Sequence, residues 1–243
     1  MSKVKFILFL ITLGLLAACS KLSPKTLYTP LQKTGESLEA YDAATEINVT
    51  LDEKLIQREV SRVIWTAKHG VEGKKISKAK DPRKNYIFQV LMNKKGVFYQ
   101  QKYYDQTGNW QKAASQEGAL DHVLPLSYED ILGLWQDVEN KLEGKKTWQD
   151  SQVSFQGEDY TLTQAVNQRL RANYKDKPKH QLTFWLADDE KRIVHMEWQV
   201  HGKERVTGKP LETKINIKFT NFNRQEFPQH FAEEEKLNLK KAN

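Results

Sequence analysis

The sequence predicts an α+β fold in which helices cover one face of an antiparallel sheet. Near the C-terminus, three segments alternate apolar and polar residues, as strands with one buried face do, and they lie at 182–186, 194–200 and 215–219. In the middle of the chain, the apolar residues change to helical spacing over 131–142. Because neither a repeat nor a linker separates these patterns, they predict one mixed domain.

The first half of the chain reads mostly as strands joined by turns. Residues 31–41 predict a short helix, and the alternation over 47–51 predicts a half-buried strand. Turn-forming residues separate the β-rich runs that follow. Further strands are predicted at 56–68, 86–92, 97–104 and 109–112, with turns at 93–96 and 105–108 and a polar loop over 69–82.

The clearest helix begins after Ser127. This residue can cap the helix, and Asp130 three positions later completes a weak capping box. The helical run is predicted to end at Gly144. A short strand at 151–155 and a second helix at 161–173 follow.

The N-terminus has the pattern of a lipoprotein signal. Two lysines precede the apolar run 6–16, which is too short to span a bilayer, and Leu16-Ala17-Ala18-Cys19 follows. Cys19 is the only cysteine, so the chain has no disulfide. We interpret 1–18 as a signal peptide cleaved before Cys19, which then carries a diacylglyceryl group. Two acyl chains give stable anchoring.

The anchor predicts the location and the domain limits. The protein would lie on the extracytoplasmic face of the cell membrane, or at the outer membrane if the cell has two membranes. Residues 19–30 are predicted as the lipidated N-terminus and a short tether, 31–230 as the single domain, and 231–243 as a charged tail. The alternatives for the N-terminus are an uncleaved anchor and an ordinary secretory signal.

The chain is basic, with a formal charge of +7. This charge suits an anionic surface such as phospholipid headgroups or wall polymers, or serves only solubility. Nucleic acid is not expected as a partner of an exported, anchored chain.

Several local features resemble one family. Residues 37–42 lead into the strand at 46–51, a turn at 108 precedes Trp110 and Lys112, and 218–223 closes the sheet before Pro228. With this layout the chain resembles the LolA-like lipoprotein superfamily, which includes the mycobacterial lipid-carrier lipoproteins, over about 31–228. The resemblance implies a curved antiparallel sheet, a partial barrel, covered by two or three helices, with an apolar cavity that receives acyl chains.

Apolar residues of the predicted strands and helix are candidates for the wall of such a cavity. The alternative is that they only fill a core, as alternating apolar residues usually do. The candidate ligand-binding residues are Ile47, Val49, Phe88, Val90, Trp135, Phe184, Met196, Trp198, Ile217 and Phe219.

Catalytic and metal-binding patterns are weak. His195, Glu197 and His201 share one strand face, but the two histidines are about 20 Å apart in an extended strand and cannot bind one metal ion together. The acidic run 188–190 lacks the spacing of a calcium loop and predicts a hairpin turn. No nucleophile, P-loop or zinc-protease motif is present in the sequence. We therefore expect neither an enzyme nor a cofactor.

Together these observations predict a membrane-anchored extracytoplasmic lipoprotein that binds a hydrophobic or amphiphilic ligand, such as a lipid or the acyl chain of a lipoprotein. The alternative is a non-enzymatic envelope scaffold, conjugation accessory or adhesion lipoprotein that binds a protein or an anionic wall polymer. A large apolar cavity would favour the first. A filled core with an exposed apolar patch would favour the second.

Overall fold

A computed structural model describes most of the chain after the predicted signal. The described residues are 22–67, 70–93, 96–103, 106–114, 118, 120–147 and 151–223. The predicted signal peptide, Cys19 and the charged tail at 231–243 lie outside them. None of the described helices is long and apolar enough to cross a membrane.

Three α-helices and twelve strands make up the described fold. The helices are α1 (Pro24–Glu36), α2 (Tyr128–Val138) and α3 (Tyr160–Arg169). The strands are β1 (Ala40–Leu51), β2 (Lys54–Thr66), β3 (Gly70–Ala79), β4 (Tyr86–Asn93), β5 (Gly96–Tyr103), β6 (Gln106–Thr107), β7 (Gln111–Lys112), β8 (Glu143–Lys146), β9 (Ser151–Glu158), β10 (Tyr174–Leu186), β11 (Ile193–Glu204) and β12 (Pro210–Thr220).

All strands belong to one antiparallel sheet. Its order is β6-β5-β4-β3-β2-β1-β12-β11-β10-β9-β8, and β7 pairs with β5. The first and last long strands, β1 and β12, are neighbours at the centre, where Ile47 is opposite Ile215. Among the described residues β6 and β8 are not paired with each other, so the sheet is open and the barrel is partial. The predicted fold class is confirmed.

The helices lie against the inner face of the sheet. Along β1 every second residue from Tyr41 to Ile47 is buried, which defines this face. Leu31 of α1, Trp135 of α2 and Leu162 of α3 are fully buried in the same apolar cluster as the strands. Helix α2 begins as predicted, because Ser127 Oγ accepts the Asp130 N–H at 3.1 Å and the Asp130 carboxylate accepts the Ser127 N–H at 2.8 Å.

The first helix was predicted in the wrong place. It spans Pro24–Glu36 rather than 31–41, so much of the predicted tether is helical. Pro24 suits the first helical turn, where no backbone donor is needed. The chain is already in strand β1 at Ala40, whose alternation of buried and exposed residues extends that of 47–51 toward the N-terminus.

The polar loop predicted over 69–82 was also wrong, because most of it is strand β3. The inward residues of β3 are Val71, Gly73, Lys75 and Ser77, so its buried face is largely polar and shows no apolar alternation. The other elements differ mainly in length. Helix α3 ends at Arg169 rather than 173, α2 passes into a 3₁₀ turn after Val138, and residues predicted as a turn at 105–108 include β6.

Candidate ligand-binding site

The inner face of β9–β12, with α2 and α3 packed on it, is called the apolar half here. It includes Phe184, Met196, Trp198 and Ile217, each with 0% exposure. Trp135 of α2 lies on Phe184, with ring centroids 5.1 Å apart.

All ten predicted ligand-binding residues belong to the apolar core cluster between the sheet and the helices or pack against it. Nine of them are buried, and Val49 is half-buried. They contact other side chains rather than solvent. Their contact with a ligand stays a prediction.

A polar chain of hydrogen bonds crosses the apolar half. Trp198 Nε1–H donates to His180 Nδ1 at 3.2 Å, and His180 Nε2 lies 3.1 Å from Thr163 Oγ1. The Thr163 hydroxyl donates to the Asp159 carbonyl oxygen at 2.6 Å. These contacts assign the neutral imidazole with its proton on Nε2. Burial lowers the pKa of His180 to about 4, so the ring is a structural element of the core.

The inner face of β1–β4 differs, and we call it the polar half. In strand register, Ile217 is opposite Thr45, Thr45 opposite Ser61, Ser61 opposite Lys75, and Lys75 opposite Phe88. With neighbouring strands about 4.8 Å apart, these side chains form one row across the sheet. Thr45, Ser61 and Lys75 are the polar members of this row, and none is more than 8% exposed.

Glu59 is the acidic centre of the polar half. Its Oε1 accepts the Tyr86 hydroxyl at 2.7 Å and the Gln57 side-chain N–H at 2.9 Å, and its Oε2 lies 3.4 Å from Lys75 Nζ. The Lys75 ammonium also lies 5.4 Å from the centre of the Tyr86 ring. Three donors therefore compensate the carboxylate, while Lys75 has one long ionic contact.

Two buried hydroxyls of the polar half lack hydrogen-bond partners. Thr45 Oγ1 and Ser61 Oγ are inaccessible to solvent and unpaired within the described structure. Such an orphaned hydroxyl costs about 1–3 kcal/mol relative to a paired one. The Trp135 indole N–H in the apolar half is unpaired as well. An ordered water or a bound polar group would satisfy such an orphaned donor or acceptor.

His122 and Arg171, which lie outside the strands of the sheet, are close enough to Lys75 to interact with it electrostatically. His122 stacks on Phe88 with ring centroids 4.5 Å apart, and Arg171 follows α3. Burial lowers the pKa of Lys75, the Glu59 carboxylate opposes this, and the Arg171 charge lowers it further. Burial, Lys75 and Arg171 likewise lower the pKa of His122. Lys75 and Arg171 thus act on each other and on His122, and the lowered pKa leaves His122 uncharged at neutral pH.

Sequence reasoning missed the polar half. Lys75 falls in the segment predicted as a loop. Thr45 lies just before the predicted strand at 47–51 and Ser61 lies within the one at 56–68, and both strands were predicted from their apolar residues. The glycine at position 73 was the available sequence signal, because a glycine within a strand often marks a close approach of another segment. In the structure, a Cβ at Gly73 would lie 2.9 Å from Val123 Cγ2. The segment after residue 120 therefore packs directly on β3 and covers this part of the sheet.

The outer face carries the predicted histidine row and a groove. His195 stacks on Trp185 at 4.4 Å and lies 3.5 Å from Glu197, whereas His201 lies near Glu212. The histidines therefore do not meet, and the described residues contain no group of three or more metal-ligating side chains. The predicted turn at 188–190 joins β10 to β11.

The groove on the outer face crosses β12, β1, β2, β3 and β4. Its volume is about 840 Å³. Ile64, Leu91 and Trp110 contribute apolar surface, and the basic side chains of Arg62 and Lys74 line it together with acidic ones.

Comparison with known proteins gives distant structural likeness only. No family model and no curated protein matches the sequence. The crystal structure of LprF from Mycobacterium bovis is 12% identical with a TM-score of 0.45, and the match covers 84% of this chain and 94% of that one. A domain assigned as an outer membrane lipoprotein-sorting protein from Vibrio parahaemolyticus is 12% identical with a TM-score of 0.30, over 88% and 99%. Both TM-scores are below 0.5, so neither structure assigns a function to this chain.

Proposed function

We propose that the protein is a membrane-anchored extracytoplasmic lipoprotein that binds an amphiphilic ligand on the inner face of its sheet, without catalysis. The observation that carries the proposal is the row across the sheet. It passes from the wholly apolar Phe184, Met196 and Ile217 to the polar Thr45, Ser61 and Lys75. Phe88 follows Lys75 in the same row, so the polar residues lie between two apolar stretches. A face that places polar donors beside a long apolar surface matches a lipid with a headgroup and a chain.

Binding requires the cover of the sheet to move. The apolar half is packed against α2 and α3, so an acyl chain would replace contacts that these helices now make. Each replaced contact is apolar on both sides, and the exchange therefore costs little burial. The orphaned Trp135 N–H lies where a ligand carbonyl oxygen would satisfy it.

The position of Leu22, the first described residue, supports close anchoring. A side chain at Gly144 of β8 would overlap the Leu22 carbonyl, so Leu22 lies directly against the β8 edge. Only residues 20 and 21 separate Leu22 from Cys19, which limits the distance to about 10 Å. If Cys19 is lipidated, the β8 edge and the adjoining apolar half lie next to the bilayer.

A second candidate function is an envelope scaffold that holds a protein or an anionic wall polymer. The outer groove favours it, because Arg62 and Lys74 lie beside the apolar surface of Trp110 and Ile64. In that case the inner face would be a core alone.

Native mass spectrometry of the full chain, released from membranes in a mild detergent, tests the proposed function. We expect a mass excess that disappears on denaturation and yields lipid on solvent extraction, in addition to the covalent modification of Cys19. Recovery of the protein without non-covalent lipid, together with failure to bind a fluorescent fatty acid, would refute the proposal.

The anchor needs a separate measurement. We expect Cys19→Ala to release the protein from the membrane fraction. Retention of the variant in that fraction would contradict lipid anchoring at Cys19.

A further inference from the structure

Two cations and two carboxylates lie in and around the polar half. Lys75 is inside it and Arg171 acts on Lys75 from beyond the end of α3, while Glu59 contacts Lys75 and Asp121 acts on His122. Burial and the two cations lower the pKa of His122, so this ring carries no charge at neutral pH. The charges therefore balance, and the hydrogen-bond donors decide which group the polar half binds.

The unused hydrogen-bond donors of the polar half favour an anion. Glu59 already has Tyr86, Gln57 and Lys75 as donors, so it does not need a further cationic partner. Lys75 has three N–H donors, and within the described residues its polar contacts are a 3.4 Å contact with Glu59 and the Tyr86 ring. The Thr45 and Ser61 hydroxyls, unpaired in the described structure, can each donate one more hydrogen bond.

We propose that Thr45, Ser61 and Lys75 bind the anionic headgroup, a carboxylate or phosphate, of the amphiphilic ligand. This inference rests on the proposed function and specifies its ligand class. The headgroup oxygens accept hydrogen bonds from the two hydroxyls and from the ammonium group. The chain of the ligand then extends from Thr45 toward Ile217 and Met196, which continue the same row on the next two strands.

A purely structural role for these residues makes a different prediction. The buried Thr213 shows the structural alternative, because its hydroxyl is paired with Tyr174 at 2.8 Å. The orphaned Thr45 hydroxyl adds no such bond to the fold. Replacing Thr45 by valine should therefore weaken headgroup binding while leaving the fold intact.

Photoactivatable probes of equal chain length test this inference on the full chain in phosphatidylcholine vesicles. The probes are a fatty acid, the corresponding alkyl phosphate and the corresponding fatty alcohol. We expect at least one anionic probe to attach about ten times more than the alcohol, since charge-assisted hydrogen bonds are the stronger ones. Which anion attaches more identifies the headgroup as carboxylate or phosphate.

Two variants and one control complete the experiment. Lys75→Gln should lower attachment of the preferred anion about tenfold and leave the alcohol unchanged. Thr45→Val should lower it severalfold, and it decides the matter if Lys75→Gln does not fold. Lys145→Gln, an exposed lysine of β8, is the matched control and should change nothing.

The outcomes separate this inference from the proposed function. Equal attachment of acid, phosphate and alcohol to the inner face, unchanged by both variants, would overturn the headgroup site while supporting the lipid-binding function. Failure of every probe to attach to the inner face would overturn both.

Discussion

The two halves of the inner face treat buried polar groups differently. In the apolar half, His180, Thr163 and Trp198 form a continuous hydrogen-bonded chain. In the polar half, the hydroxyls of Thr45 and Ser61 are buried without partners, within the described residues, beside a buried ion pair. The apolar half also has one orphaned donor, the Trp135 indole N–H, so the two halves differ in degree. The two orphaned hydroxyls of the polar half lie in one row with Lys75, which makes this row the better candidate for binding a polar group.

The largest expected effect tests the apolar half as a core. Phe184→Ala should lower the free energy of unfolding by about 3–5 kcal/mol, because it removes a fully buried ring that packs on Trp135. Urea unfolding measures the change. Leu55→Ala, at a side chain that is 54% exposed, is the control and should change stability by less than about 0.5 kcal/mol. A similar loss in both variants would contradict the assignment.

The next effect concerns the satisfied polar chain. Because burial lowers the pKa of His180 to about 4, the folded state binds its proton less readily than the unfolded state. Stability should be complete above about pH 6.5 and fall by on the order of 3 kcal/mol as the pH drops to about 4. Unfolding of His180→Gln across this range should show a smaller pH dependence. An unchanged profile would mean that His180 is not the group responsible.

A smaller effect is expected from the acidic centre of the polar half. Tyr86→Phe removes a hydrogen bond of 2.7 Å to the Glu59 carboxylate and should cost about 2 kcal/mol in urea unfolding. The neighbouring Tyr103→Phe, at a side chain that is 52% exposed, should cost less than about 0.5 kcal/mol. Equal effects would show that the Tyr86 hydroxyl contributes nothing specific to Glu59.

The smallest expected effect is a difference in sign between two threonine-to-valine variants. Thr45→Val should leave stability unchanged or raise it by about 1 kcal/mol, because the lost hydroxyl is unpaired. Thr213→Val, at an equally buried position on the neighbouring strand β12, should lower stability by about 1 kcal/mol because its hydroxyl is bonded to Tyr174. Paired thermal or urea unfolding tests the difference. If both variants lose stability equally, the two halves do not differ as described.

The apolar half was the part that the sequence could predict. Alternation over 182–186, 194–200 and 215–219 placed β10–β12, and Ser127 with Asp130 placed the start of α2. The strand that carries Lys75 was not predicted, because a charged residue on a buried strand face breaks the apolar alternation by which strands are recognised. Thr45 and Ser61 could not be found either, because only the register between β1, β2 and β3 brings them beside Lys75.

The inner and outer faces of the sheet are alternative binding sites for a ligand. The inner face offers a row in which polar residues lie beside a long apolar stretch, while the outer groove offers Arg62 and Lys74 beside Trp110. Mapping the attachment sites of the photoactivatable fatty acid by peptide mass spectrometry distinguishes them most directly. Binding on the inner face predicts adducts on inward residues such as Met196, Ile217 and Thr45. Adducts confined to Ile64, Trp110 and other outer-groove residues would contradict it.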